Sequence, residues 1–336
     1  MGGPPKIMPR GYEVARKIMK SPLVSVVIPT YNQPKLLAET LESVFAQTMT
    51  DREIVVVNDG STDDTAEHLK TYGDRVRAIT QPNGGIGAAR NRGIDESTGK
   101  YVALLDHDDL WHPDKLAAQT EFMASHPDCT GCSVAWEYST APGRCVFSRE
   151  AVADEDGIIH RPLLHLARGQ VFLISSSILF DREKASGLRY VCRRQCIEDT
   201  PFQIGLLTRG PFGIAGSGIA GDKILMTYRW HAANYSSQAS FFYNGVQMLR
   251  DMQRENFFEP LTDEQRNDLE QFLSHLARSA VVHQLLGGTR TDALSLYLKE
   301  MRHQLTDGRF KFLATTPLLA ALPKSLLRRR WDSQIK

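Results

Sequence analysis

Tyr101-Val-Ala-Leu-Leu-Asp-His-Asp-Asp109 runs an apolar strand-forming stretch straight into three carboxylates and one histidine. Charge that dense at the end of a buried strand costs solvation free energy unless a cation offsets it. Hard oxygen donors in an Asp-x-Asp arrangement suit Mg²⁺ or Mn²⁺, which keep several waters and bind substrate phosphates at the same time. The segment therefore reads as a metal–diphosphate site. Against this stands a plainer alternative, in which Asp109 caps a helix at Leu110-Trp-His-Pro113 and the other acids are merely solvated.

The flanking sequence repeats the pattern. Leu23-Val-Ser-Val-Val-Ile28 is a continuous apolar run of strand length, stopped by Pro29. Leu37, Leu41, Val44 and Phe45 then mark one face of a helix. Ile54-Val-Val-Val57 is a second strand ending at Asn58-Asp-Gly-Ser61, and Ser61 or Thr62 is placed to cap a helix from Asp64 to Thr71. Val76-Arg-Ala-Ile79 reads as a third strand. Asn83-Gly-Gly85 leads into a helix over Gly87–Ile94, and Tyr101–Leu105 is the fourth strand. Strands alternating with short helices imply an open, mainly parallel sheet with helices on both faces. Ligands of such sheets bind outside the carboxyl ends of the strands. Thr30-Tyr-Asn32, Asn58-Asp-Gly60 and Asp106–Asp109 all follow strands there, and three clusters at one sheet edge make a site. Further on, Val171–Ile174 and Ser177–Phe180 read as strands, with Ser175–Ser177 beside the site. Glu198 and Asp199 precede a helix start at Pro201, and from about residue 240 the chain is helical, with Leu269, Phe272, Leu273, Ala280 and Val281 at helical spacing.

The 336 residues suffice for one large domain with an appendage, or for two domains. A net charge of +1 provides no global field toward nucleic acid, so a nucleic-acid partner is not expected. No window approaches the length of apolar sequence that spans a bilayer, and Met1-Gly-Gly-Pro-Pro-Lys6 lacks a secretory apolar region, which together predict a cytoplasmic protein. Five cysteines form an odd set and read as free thiols. Cys129-x-x-Cys132 with Cys192-x-x-x-Cys196 is an irregular and disfavoured zinc pattern.

Taken in order, Val24-Ser-Val-Val-Ile-Pro-Thr-Tyr-Asn32, Val55-Val-Val-Asn-Asp-Gly-Ser-Thr-Asp63, Asn83–Gly93, Ala103–Asp109, Glu198-Asp199 and Tyr228–Ser236 resemble the motifs of the family 2 glycosyltransferases. The resemblance implies an α/β GT-A fold, a Rossmann-like open mixed sheet with flanking helices, here followed by a C-terminal helical extension. It divides the chain into an N-terminal extension (1–22), a catalytic domain (23–236) and a helical region with a basic amphipathic tail (237–336). It further implies a nucleotide-sugar donor, UDP-linked by preference, Mn²⁺ or Mg²⁺, and inversion at the anomeric carbon.

Carried over residue by residue, the donor would be bound by Pro29, Thr30, Tyr31, Asn32, Asp59, Gly85, Arg90, Asp106 and Arg229. Asp106 and Asp108 would hold the metal, with His231 as a third ligand. Asp199 would be the general base that deprotonates the acceptor hydroxyl, and Glu198 the runner-up. Each has a plainer role as well: Asp59 and Asp199 as helix N-caps, Arg90 on a solvated helix face, and Asp109 as a cap or a support for the metal loop. The acceptor would be a saccharide or a lipid-linked molecule.

The tail from Phe310 to Trp331 mixes apolar stretches with a basic end, and reads either as a segment for the inner surface of an anionic membrane or as a tail packed on the catalytic domain. Pro317 and Pro323 should prevent one long helix there. The rival readings are a non-catalytic nucleotide-sugar-binding protein and another metal-dependent nucleotidyl- or phosphate-transfer enzyme. A Walker A loop is excluded, because no Gly-Lys-Ser/Thr follows a strand.

Overall fold

The computed structural model describes residues 21–139, 141–145, 153–192, 196–218, 221–229, 239–306, 308–325 and 327. Strands β1 (Val24–Thr30), β2 (Arg52–Asn58), β3 (Arg77–Thr80) and β4 (Tyr101–Leu104) form a parallel half-sheet in the order β3-β2-β1-β4. All seven residues of β1 are buried, as a strand covered on both faces requires. The chain steps outward from β1 to β2 and β3, then returns to place β4 on the other side of β1. That reversal opens a crevice beyond the carboxyl ends of β1 and β4, the place where open α/β sheets bind ligands.

Helices α1 (Pro34–Phe45), α2 (Thr65–Lys70) and α3 (Ile86–Glu96) follow the first three strands. Beyond β4 lie β5 (Leu110–Trp111), α4 (Lys115–Ser125), β6 (Gly131–Tyr138), β7 (Ala141–Cys145), β8 (Ile158–Ile159), α5 (Pro162–Ala167), β9 (Leu179–Asp181), α6 (Thr200–Arg209) and β10 (Phe212–Ala215). The hairpin β11 (Ser217–Gly218) and β12 (Gly221–Asp222) and strand β13 (Ile224–Tyr228) follow. The sheet continues from β4 through β9, β6, β10 and β8, with β9 antiparallel to both its neighbours, so the whole is mixed. β13 runs parallel to β6 and antiparallel to β5.

Four local readings are corrected. β1 continues through Pro29 to Thr30, paired with β2. Val27 O accepts from Leu105 N on the β4 side. Pro29 faces that side by strand alternation, just where β4 has ended, so its missing N–H breaks no ladder bond. Ser61 and Thr62 do not cap α2; they bond to Asn32, while Asp63 Oδ1 accepts from Thr65 N at 3.0 Å. Val171–Ile174 is irregular, and Ser175–Ser177 is one 3-10 turn ahead of β9. Asp109 precedes strand β5 rather than a helix.

Helix α3 lies close on β1. A Cβ at Gly93 would stand 2.2 Å from Val27 Cγ1. Gly93→Ala therefore overpacks the core and should cost about 1–3 kcal/mol. An unchanged unfolding midpoint would show that the helix can slide away from the strand.

The C-terminal helices are α7 (Ala239–Arg254), α8 (Asp263–Gly287), α9 (Arg290–Thr306) and α10 (Phe310–Ala321). The main core runs on into them through Met248, Leu249, Leu269, Phe272 and Leu273. Arg161, beside α5, adds an ion pair to the buried Asp268 of α8. A second core, around Ala277, Val281, Leu296 and Tyr297, joins α8 to α9 and α10. Pro317 sits inside α10 instead of ending it. The carbonyl it leaves without a helical donor, Leu313 O, accepts from Tyr297 Oη at 2.8 Å.

Candidate active site

At the ends of β1 and β4 a single guanidinium gathers the acids. Arg90 projects from α3 and is only 3% exposed. Its Nη2 donates to both oxygens of Asp106 at 2.8 and 2.9 Å, and its Nη1 donates to Glu198 Oε1 at 3.1 Å. The guanidinium lies over the ring of Tyr190, 5.0 Å from the centroid, and Tyr190 stacks in turn on Phe202 of α6. Burial alone would lower the Arg90 pKa, but Asp106, Tyr190, Glu198 and Asp199 outweigh it and raise it. Arg90 is thus a fixed cation within a shell of carboxylates, not a residue of a solvated helix face.

The acid pair beside it is half-buried at the entrance to α6. Burial, then the charge of Asp199, pushes Glu198 up to about 7 against the opposing pull of Arg90. Asp199 is raised as well, first by burial and then by Asp106, with Arg90 again opposing. Asp199 occupies the N-cap position of α6, yet its side chain makes no capping bond. Instead, Asp199 Oδ2 accepts from Gln203 Nε2 at 3.2 Å. Such a carboxylate, held near the acids without a full ion pair of its own, has the environment of a general base.

The metal-loop candidates are held from below. Asp106 N donates to Ser176 Oγ at 3.0 Å, and Ser176 Oγ donates to Asp109 Oδ2 at 2.5 Å. Asp109 is 1% exposed; burial, followed by the charges of Asp108 and Asp106, drives its carboxyl well above the usual range. Thr40 of α1 bonds to the carbonyls of His107 and Asp109 at 2.8 and 2.9 Å. His107 Nδ1 lies 3.2 Å from Pro29 O, so it pins the loop to the end of β1.

Arg229 belongs to this support. Its backbone N–H donates to Asp109 Oδ1 at 3.1 Å. Its side chain bonds to Asp108 O, Glu39, Leu36 O and Thr40 Oγ1. All three side-chain nitrogens have protein acceptors, so the guanidinium supports the loop from below. His231 lies outside the described residues.

Asp59 is committed to the glycine turn. Its Oδ1 accepts from Gly84 N and Gln81 Nε2, and its Oδ2 accepts from Gly85 N, all at 2.8–2.9 Å. It is therefore no helix cap; it shapes the entry to α3, where Gly85 takes a φ of +88° that suits glycine. Asn32, at φ +51°, ties the end of β1 to the loop after β2 through Ser61 and Thr62. Thr30 Oγ1 is buried without a hydrogen-bond partner among the described residues, and Tyr31 is exposed beside it.

Ser176 lies in the Ser175–Ser177 run that the sequence places beside the site, whereas Thr40, Gln81 and Tyr190 carry no sequence signal for it. These three act through contacts far apart in the chain. Among the described residues Cys129, Cys132 and Cys196 are buried, Cys196 Sγ meets Met248 Sδ, and no group of three metal-binding side chains occurs.

The doubly wound half-sheet, continued as a mixed sheet with an acidic loop at its switch point, agrees with the GT-A fold that the resemblance implies. Residues 25–161 match the glycosyl transferase family 2 model, and this part of the chain is a family 2 glycosyltransferase domain. An uncharacterized glycosyltransferase of Rickettsia prowazekii is 44% identical over 103 residues, 31% of this chain and 32% of the relative. The putative teichuronic acid biosynthesis glycosyltransferase TuaG of Bacillus subtilis is 34% identical over 144 residues, 41% of this chain and 57% of that protein. The chain thus spans about a third to just over half the length of these relatives. Among solved structures, residues 1–349 of S. aureus TarS in complex with UDP-GlcNAc align with a TM-score of 0.64 at 18% identity, covering 91% of both chains. That likeness shows the fold, including the helices after the sheet. No helix among the described residues is long and apolar enough to cross a membrane.

Proposed function

We propose that the protein transfers a hexosyl or N-acetylhexosaminyl group from a nucleoside diphosphate sugar, UDP-linked by preference, to a hydroxyl of a saccharide or lipid-linked acceptor. The reading is carried by one observation: the loop acid Asp106 and Glu198 of the Glu198–Asp199 pair meet on Arg90 at the switch point of the sheet. A transferase needs both sets together, one for the leaving diphosphate and one for the attacking hydroxyl. In this role Asp199 takes the acceptor proton as the hydroxyl oxygen attacks the anomeric carbon. The bond from that carbon to the diphosphate breaks, and its electron pair leaves with the nucleoside diphosphate. Attack opposite the leaving group inverts the centre.

The Thr30 hydroxyl and the exposed Tyr31 supply the means to hold the base or ribose. Asp106 and Asp108 fit a hard divalent ion, since an ion arriving with a diphosphate needs only one or two protein carboxylates. When bound, Mn²⁺ or Mg²⁺ neutralises charge on the departing diphosphate. The likeness to TuaG favours an acceptor in cell-envelope polysaccharide synthesis.

A panel of nucleotide sugars tests the reading through release of nucleoside diphosphate, with Mg²⁺, Mn²⁺ or EDTA. One donor should be slowly hydrolysed, with the rate lost in EDTA and cut at least about a hundredfold by Asp108→Ala. If calorimetry also finds no nucleotide sugar bound, the proposal fails.

A further inference from the structure

Helices α9 and α10 bury one face each in the second core and turn the other outward. On α9 the outer stripe is Leu294, Leu298 and Leu305, with Leu298 62% exposed; their spacing keeps them within about 40° around the helix. On α10, Phe310 is 67% exposed and Leu318 69%. The other exposed positions of that helix are Lys311, Ala314, Pro317 and Ala321, so its outer surface has one charge, a positive one. In sequence, residues 308–331 contain Arg309, Lys311, Lys324 and Arg328–Arg330 and no Asp or Glu. The whole chain has 40 basic against 39 acidic residues, so outside this stretch of six basic residues 34 basic stand against 39 acidic and the cationic excess is confined to the stretch. Apolar side chains held outward beside cations that lack local acids form an interfacial surface.

We propose that the outer face of α9 and α10 docks on the surface of an anionic lipid bilayer, with Phe310, Leu318 and Leu298 entering the headgroup boundary and Arg309 and Lys311 meeting lipid phosphates. Charge selects this occupant over a second copy of the chain. A two-fold pairing of the face would set Lys311 and its neighbours against their own copies, and the stretch offers no acid to relieve them. A bilayer rich in anionic lipid supplies the missing charge and an apolar layer together.

Vesicle flotation of the full-length chain tests this without donor or acceptor, so its outcome is separate from that of the transfer reading. The protein should float with phosphatidylcholine–phosphatidylglycerol vesicles, fail to float with phosphatidylcholine alone, and be released by high salt. Phe310→Asp with Leu318→Asp changes only exposed side chains and should weaken binding at least about tenfold with donor hydrolysis unchanged. Should that variant unfold, Lys311→Glu carries the test, with a loss of at least about threefold expected. No binding to anionic vesicles, equal binding to neutral ones, or full binding by the folded variants overturns the proposal. So does a dimer in sedimentation that Leu318→Asp dissolves, because the occupant is then a second copy.

Discussion

Asp199→Asn should lower sugar transfer by about 10²–10⁴-fold, the range for removing a positioned general base. Affinity for the donor should stay close to that of the parent, because the base acts on the acceptor proton in the transition state and not on the bound nucleotide. The pH dependence is the sharper readout. On the proposed mechanism transfer needs the acid pair unprotonated, and burial has raised both members, Glu198 to about 7. The parent should therefore lose activity as pH falls through neutrality, well above the range of an ordinary carboxylate. The apparent value belongs to the pair. In Asp199→Asn the residual rate should lose that acid limb. Stability moves the other way. A carboxyl whose folded pKa is raised contributes stability below its unfolded pKa and loses it as pH rises through the folded one. The asparagine variant should thus unfold no earlier than the parent at pH 8, with any advantage fading toward pH 5. A near-normal rate in Asp199→Asn, with Glu198→Gln inactive, would transfer the role of base to Glu198.

The residues legible in the sequence are those whose chemistry is local. Asp106 and Asp108 stand at the end of an apolar run, and the run fixes both the strand and the edge at which they emerge. The periodicity of Leu37, Leu41 and Val44 gave α1 its buried face for the same reason. What the sequence hides is direction. Arg229 follows β13 and is suited by type to a phosphate, yet its side chain turns beneath the loop to Glu39 and Thr40 on α1. Thr40 and Ser176 reach Asp109 across 69 and 67 residues, and Arg90 reaches Glu198 across 108. No periodicity records bonds over such separations. In the sequence Asp109 suits either a cap or a support, because both need a short acid before a new element. Packing decides between them, since that element is strand β5, paired to β13.

Arg90→Ala should be the most damaging single change to folding at this site. Arg90 is buried and compensates Asp106 directly on one side and Glu198 on the other. Its removal leaves both acids, with Asp199 nearby, partly buried and without their cation. Breaking a buried pair from one side costs about 3–5 kcal/mol. At roughly 2 °C per kcal/mol for a chain of this size, the midpoint should fall by about 6–10 °C at pH 8. Acidification should narrow the gap, because the stranded carboxyls take up protons and shed the charge that costs so much. Arg90→Lys separates charge from shape. One ammonium keeps the positive charge but cannot bond both oxygens of Asp106 while reaching Glu198. It should recover most of the stability and still transfer sugar at least about tenfold more slowly, because the loop acid and the base pair are no longer fixed to each other. Thermal unfolding at the two pH values, read beside the donor-hydrolysis rate, distinguishes these effects. If Arg90→Ala melts with the parent at pH 8, the acids do not depend on Arg90, and the bridge between the leaving-group loop and the base is not what organises the site.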